Sequence, residues 1–152
     1  MMAIILVSQC LLGCCCRYKG DHCQNEQVLS LAKEHTLIPV CPEQMGGLPT
    51  PRDPFEIVDN RVISKSGNDA TKQFQKGAHI ALFLAKLNQV DFVIMKLKSP
   101  SCGRGIIYDG TFTGKVKEGN GITVDLLLKN GFDVYSEEDI EKVLERLKKL
   151  SM

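Results

Sequence analysis

The feature that most restricts the fold of this chain is a pair of short, unbroken apolar runs at residues 3–7 and 92–95. Apolar runs of this length, rich in isoleucine and valine, are typical of strands buried on both faces, as in a parallel sheet. Residues 37–40 predict a further strand, and their proline favours the edge or end of a sheet. Because such a sheet is apolar on both faces, helices must cover it.

The segments between these runs supply the helices. Residues 25–35, 121–129 and 136–150 show helical patterns, the second closed by Gly131 and the third opened by a capping-box sequence. Residues 68–87 form the clearest amphipathic pattern, with Asn68 or Asp69 as the expected N-cap. We expect one or two short strands around a turn at Asp59-Asn60 within residues 55–64, a small hairpin at residues 106–112, a last strand at residues 132–135 and a loop over residues 41–54. Strands alternating with helices predict one Rossmann-like α/β domain over residues 1–152, with a mostly parallel sheet flanked by helices.

Composition excludes several classes of function. The net charge is +1 with no extended basic segment, so a nucleic-acid polymer is not the expected partner. The apolar run at residues 3–7 is too short to span a membrane and lacks the flanks of a signal peptide, which predicts a cytoplasmic protein. The chain has seven cysteines, an odd number, and three of them are consecutive, so a disulfide framework is disfavoured. Metal binding or thiol chemistry explains them better.

Three of the cysteines follow predicted strands. Cys10 comes after the first strand, Cys41 directly after the second, and Cys102 in the loop after residues 92–95. Loops at the carboxyl ends of parallel strands converge on the ligand crevice, so these thiols are expected to meet. They suit a soft metal or an iron–sulfur cluster. Two alternatives stay open, a zinc site and three small buried hydrophobic residues.

Polar residues beside these cysteines are candidates for catalysis and binding. Glu43 and Ser101 could serve as an acid–base group and a substrate anchor. The backbone amide of Gly103 could approach a ligand closely. If the substrate carries a phosphate, the candidate contacts are the arginines of the three loops, Arg17, Arg52 and Arg104.

Several longer motifs resemble one known family. SQCLLG, CRYKG, PVCPEQMGGLPTPR, SPSCG, IYDGTFTG and GNGITVDLLLKNG occur in this order between residues 4 and 138, and together they are similar to the small [4Fe–4S] thiouracil desulfidases. The resemblance implies removal of sulfur from 2- or 4-thiouracil, or from a thiouridine nucleotide, as sulfide without net redox change. It also implies a [4Fe–4S] cluster with three protein ligands, so that one iron stays open to the substrate.

Matched motif by motif, the resemblance assigns the cluster to Cys10, Cys41 and Cys102, with Cys16 as a substitute candidate, and gives Glu43 and Ser101 catalytic roles. The chain departs from the family at Cys14 and Cys15, which precede Cys16, and these two together with Cys23 have no assigned role. A cluster with an open iron is oxygen-labile, so aerobic preparation can remove it. The expected partner is a small thiolated pyrimidine, and the expected state is a monomer or small homo-oligomer. A non-catalytic iron–sulfur or metal sensor and a persulfide sulfur carrier are the alternative functions.

Overall fold

A central sheet of four parallel strands organises the fold in the computed structural model, which describes residues 2–152. The strands are β1 Ile4–Ser8, β2 Thr36–Val40, β3 Phe55–Val58, β4 Arg61–Ser64, β5 Phe92–Met95, β6 Ile106–Tyr108, β7 Val116–Glu118 and β8 Val134–Ser136. The helices are α1 Glu26–Ser30, α2 Pro42–Met45, α3 Thr71–Leu87, α4 Ile122–Lys129 and α5 Ile140–Leu150. The central sheet has the order β2–β1–β5–β8, so the α/β class with a mostly parallel sheet is confirmed.

The two unbroken apolar runs form the middle of this sheet. β1 pairs with β2 on one side and with β5 on the other, and residues Ile5, Leu6 and Val7 are fully buried. β2 is an edge strand, as its proline predicted, because Pro39 has no N–H to give to a second neighbour. Burial on both faces therefore explains why these strands lack the alternation of apolar and polar residues that a half-exposed strand shows.

Helices cover the two faces of the sheet with separate cores. On one face, Ile5 and Val7 pack with α1 and α5 residues such as Val28 and Val143. On the other face, Leu6, Val93 and Met95 pack with α3 and α4, whose contributions are Leu82, Ala85, Val124 and Leu127. The result is a three-layer sandwich whose strands all end at the same edge. Within residues 2–152, no helix combines the length and apolar character needed to cross a membrane.

Two antiparallel hairpins stand beside the main sheet. β3 pairs with β4 around the turn Asp59-Asn60, both residues in the left-handed region, which confirms the predicted turn and shows two short strands that form a hairpin. β6 pairs with β7, so the second hairpin is wider than the predicted 106–112 segment, and its connection is the loop of residues 109–115. The partner strand was missed because its three residues are all exposed and show no apolar alternation.

The remaining differences concern element ends. The segment 41–54, expected to be a loop, contains the short helix α2 directly after Cys41. The last strand begins two residues later and ends one residue later than predicted, at Val134–Ser136. α3 begins at Thr71, and its N-cap is Ala70, although the Asp69 carboxylate does accept a hydrogen bond from the Thr71 N–H. Near the start of α5, the Ser136 N–H donates to the Asp139 carboxylate, which is one of the two hydrogen bonds of the expected capping box, although α5 itself begins at Ile140.

Candidate functional site

A cavity of about 560 Å³ lies at the carboxyl ends of the central strands. Its walls come from the loops after β1, β2 and β5 and from the two hairpins. The residues that line it include Cys10, Cys16, Arg17, Cys41, Glu43, Arg52, Phe55, Glu56, Lys96, Cys102, Tyr108 and Phe112. A volume of this size suits a small organic ligand.

Four cysteines share this cavity, and all four are buried. Cys10 sits in the 3-10 turn that follows β1, and Cys41 is the N-cap residue of α2. The N–H of Cys102 donates to the hydroxyl of Ser99, which fixes the loop after β5. The carboxyl ends of parallel strands thus bring Cys10, Cys41 and Cys102 to one cavity, as the sequence predicted, and Cys16 joins them.

The thiols are close enough to perturb one another. The Cys41 thiol donates to the carbonyl oxygen of Cys16 at 3.8 Å. A hydrogen bond with Cys10 is the main reason why the pKa of Cys16 rises to about 11. The pKa of Cys41 is raised chiefly by its hydrogen bond with Cys16, and burial raises the pKa of Cys102 to about 12. These thiols therefore stay protonated at neutral pH unless a bound cation displaces their protons.

The donor set fits an iron–sulfur cluster in its chemistry, because soft thiol sulfurs are the ligands such clusters take. No group of three or more Cys, His, Asp or Glu side chains within residues 2–152 is arranged to hold a single metal ion. The ligands of a cluster bind different iron atoms, so they stand farther apart than the ligands of one ion. Four buried cysteines on one cavity provide the soft sulfur donors that a cluster requires.

Glu43 projects from the first turn of α2 into the same cavity. Its Oε1 atom accepts a hydrogen bond of 3.0 Å from Nε of Arg52, and this ion pair is mostly shielded from solvent. Because Pro42 begins the helix and Cys41 caps it, the thiol and the carboxylate lie two residues apart on one rigid turn. The structure therefore places a candidate acid–base group beside the candidate metal ligands.

The two cavity arginines differ in how far they are already engaged. Arg52 donates to Glu43, to the carbonyl oxygens of Cys16 and Pro49, and to the hydroxyl of Thr50. Its side chain is only 4% exposed, and these bonds join the loops after β1 and β2. Arg17 instead forms an exposed ion pair with Asp21 and retains donors that can reach a ligand.

Three predicted site residues are not among those that line the cavity. Ser101 is fully buried, and its hydroxyl is hydrogen-bonded to Thr123. A Cβ at Gly103 would come within 2.8 Å of the carbonyl oxygen of Ser99, so this glycine is required for close packing of the loop. Arg104 donates from Nε to the carbonyl oxygen of Val134. All three stabilise the loop that carries Cys102.

Several charged and aromatic residues of the cavity were not predicted from the sequence. Lys96, directly after β5, forms a 2.9 Å ion pair with Glu137. Burial alone would lower the pKa of Lys96, but the hydrogen bond and charge of Glu137 outweigh it and raise that pKa. The position of Lys96 directly after a buried strand was the sequence signal that could have identified it as a cavity residue. The carboxylate of Glu56 and the rings of Tyr108 and Phe112 come from hairpins whose placement no local pattern predicts.

Comparisons with known proteins agree with one another. The model of the family described as 2-thiouracil desulfurase matches residues 5–139. An uncharacterized protein, YbbK of Bacillus subtilis strain 168, is 40% identical over 151 residues, which cover 93% of this chain and all of that protein. The solved structure of a [4Fe–4S]-dependent thiouracil desulfidase, TudS, superposes with a TM-score of 0.89 at 38% identity. That match covers 96% of this chain and 98% of TudS.

Proposed function

This chain belongs to the 2-thiouracil desulfurase family, and we propose that it is an enzyme that hydrolyses the C=S group of a thiolated pyrimidine. Water supplies the oxygen of the C=O product, and the sulfur leaves as hydrogen sulfide, so no electrons are gained or lost. The observation that carries this proposal is the convergence of four buried cysteines and the Glu43 carboxylate on one cavity. The substrate is a 2- or 4-thiouracil unit, free or as its nucleoside or nucleotide.

Cys10, Cys41 and Cys102 are our proposed ligands of a [4Fe–4S] cluster, with Cys16 as the competing candidate. Each of the three lies beyond the carboxyl end of a different strand of the sheet, so the three approach the cavity from separate segments. When bound, such a cluster supplies an iron without a protein ligand, a Lewis acid with affinity for the thiocarbonyl sulfur. Ser101 then acts through Cys102 by fixing its loop, since its own hydroxyl is paired with Thr123.

Glu43 is the proposed acid–base residue. With Oε1 held by Arg52, the carboxylate has a fixed orientation and its Oε2 atom is left to accept a proton from water. The same group then takes the second proton from the newly formed hydroxyl and passes both protons in turn to the departing sulfur, so the two protons of water leave in hydrogen sulfide. For a nucleotide substrate, Arg17 is the proposed phosphate contact, because it lines the cavity and its partner Asp21 is exposed.

Sulfide release under anaerobic conditions tests this function. The protein reconstituted with iron and sulfide should release sulfide from 2- or 4-thiouracil or from their nucleotides, and should carry about four irons with broad absorption near ~400 nm. Cys102→Ala should lose the chromophore, whereas Cys15→Ala, which removes an exposed thiol, should keep both chromophore and activity.

Glu43→Gln separates catalysis from cluster binding. It should retain the chromophore but lower kcat by a factor of ~10² to 10⁴, the usual contribution of one acid–base group. Unchanged turnover would remove Glu43 from the mechanism. A cluster-loaded wild-type protein that releases no sulfide from any thiolated pyrimidine would favour a sensor, and an iron-free protein bearing a persulfide would favour a sulfur carrier.

A further inference from the structure

The loop of residues 109–115, which we call the β6–β7 loop, forms one wall of the substrate cavity through Phe112. The loop is closed by a hydrogen bond from the Asp109 N–H to the carbonyl oxygen of Lys115. Within it, the Asp109 carboxylate accepts from both the N–H and the hydroxyl of Thr111. Although it lies at the end of an exposed hairpin, the loop is therefore tied into one conformation.

Phe112 has an uncommon backbone conformation, with φ of +59°. A bulky residue is disfavoured by about 1–2 kcal/mol in this left-handed region, which glycine occupies without penalty. Phe112 nevertheless sits there, and it is one of the residues that line the cavity. Strain of this kind persists only where surrounding contacts enforce it, and it is concentrated at ligand sites.

Glu56 provides those contacts from the neighbouring hairpin. Glu56 is 9% exposed as a residue, and its Oε1 atom accepts hydrogen bonds from the N–H groups of Gly110 at 2.9 Å and Phe112 at 3.2 Å. Gly110 comes so close to β3 that a Cβ there would lie 2.8 Å from the carbonyl oxygen of Ile57. A buried carboxylate is thus used to dock the backbone on both sides of Thr111.

Two more aromatic rings line the same cavity, Phe55 and Tyr108. Phe55 is held in place by an edge-to-face contact with Phe74, with the ring centroids 5.6 Å apart. Planar heterocycles such as nucleobases bind well on aromatic side chains because every base has a π face. The cavity therefore carries both the thiols and an aromatic lining.

We propose that Phe112 stacks on the pyrimidine ring of the substrate and that Glu56 is the positioning residue that holds it there. The inference rests on the proposed function for the identity of the ligand, and it adds a specificity determinant that lies outside the cysteine-bearing loops. It predicts selection for a planar ring, whatever group the pyrimidine carries at its sulfur position.

Equilibrium binding of uracil, the oxo product of 2-thiouracil or 4-thiouracil hydrolysis, tests this in the cluster-loaded protein by anaerobic calorimetry. Phe112→Ala should weaken uracil binding by a factor of about 5 to 150, the usual effect of removing one stacking partner. Phe112→Tyr should restore most of the affinity. Phe83→Ala is the matched control, because Phe83 is an exposed phenylalanine of α3 that does not line the cavity.

Dihydrouracil separates stacking from general damage to the cavity. It carries the same amide groups on a puckered, saturated ring, so the wild-type protein should prefer uracil, and Phe112→Ala should lose most of that preference. A variant that weakens both ligands equally would show that Phe112 supports the cavity without stacking, and this would overturn the inference.

Glu56 is tested through its dependence on Phe112. Glu56→Ala should weaken uracil binding about as much as Phe112→Ala, whereas Glu56→Gln keeps an oxygen acceptor for the two amides and should bind nearly as well as wild type. The double variant Glu56→Ala, Phe112→Ala should lose no more uracil affinity than Phe112→Ala alone, because Glu56 acts through the Phe112 ring. Additive losses would overturn the positioning role.

The two hypotheses fail in different ways. A protein that binds uracil through Phe112 but releases no sulfide contradicts the proposed function and supports stacking. A protein that releases sulfide while Phe112→Ala binds uracil as tightly as wild type supports the function and overturns the inference. Absence of uracil binding to the wild-type protein overturns the inference as well.

Discussion

Replacing Arg52 with alanine distinguishes a structural arginine from a substrate-binding one. The sequence predicted a phosphate contact, but the guanidinium is 4% exposed and donates to Glu43, Cys16, Pro49 and Thr50. Arg52→Ala removes these bonds together and leaves the Glu43 carboxylate mostly buried without its counterion. We therefore expect the main effect on folding stability.

The size of the effect follows from burial. Removing one partner of a buried ion pair costs about 3–5 kcal/mol. Because the Glu43 side chain is 16% exposed and water can reach it, the lower end applies, a loss of ~3 kcal/mol in the free energy of unfolding. With an m value of about 2 kcal/mol/M, the urea midpoint should fall by ~1.5 M.

Urea denaturation of the metal-free protein, followed by circular dichroism, measures this shift in the urea midpoint. Arg17→Ala is the control, because its exposed ion pair with Asp21 should contribute less than ~0.5 kcal/mol. Arg52→Lys should fall between wild type and Arg52→Ala, since one ammonium group cannot reproduce the planar fork. If Arg52→Ala leaves the midpoint unchanged and raises KM for a thiouridine nucleotide, the structural role of Arg52 is refuted.

Two further predictions concern α3. Gly77→Ala should lower the free energy of unfolding by about 1–3 kcal/mol, because its Cβ would overlap the backbone carbonyl of Pro42 in the helix that carries Glu43. Lys76→Ala, which changes an exposed neighbour, should leave the free energy of unfolding unchanged. An unchanged melting temperature for Gly77→Ala would contradict the packing argument. The pKa of Asp69 is lowered from 3.8 to about 2, first by its hydrogen bond with the Thr71 side chain, so the stability it contributes is present above pH 3.8 and is lost as the pH falls towards 2. The difference in melting temperature between wild type and Asp69→Asn should shrink over that interval, and a difference that stays constant between pH 5 and pH 2 would show that the charge of Asp69 does not act.

The central sheet could be predicted because its signal is local. The run at residues 3–7 and strand β5 are apolar at every position, and α3 repeats Phe74, Ala78, Ala81 and Ala85 on one face. Each pattern reports burial directly, since burial is what selects apolar residues at those spacings. The cysteines at strand ends were then placed by the topology of a parallel sheet, which needs no knowledge of side-chain contacts.

The rest of the cavity depends on contacts between segments distant in sequence. Glu56 meets the β6–β7 loop across more than fifty residues, and nothing near Glu56 distinguishes it from an exposed glutamate of a hairpin. The orientation of the Ser101 side chain also depends on a contact distant in sequence. Its place beside Cys102 suggested a catalytic hydroxyl, but the loop turns so that the hydroxyl meets Thr123 of α4. Sequence neighbours of a site residue share its loop but not its orientation.

The short helix α2 positions both a candidate cluster ligand and the candidate acid–base group. Cys41 caps it and Glu43 occupies its first turn, so a candidate ligand and the candidate acid–base group move as one unit. Packing against α3 holds this turn through two glycines, because a Cβ at Gly46 would overlap the carbonyl oxygen of Gln73, and a Cβ at Gly77 that of Pro42. α3 does not supply a proposed ligand or catalytic group, yet its surface sets where both groups stand. Substitutions at Gly77 should therefore impair cluster retention and turnover together, whereas Glu43→Gln impairs turnover alone.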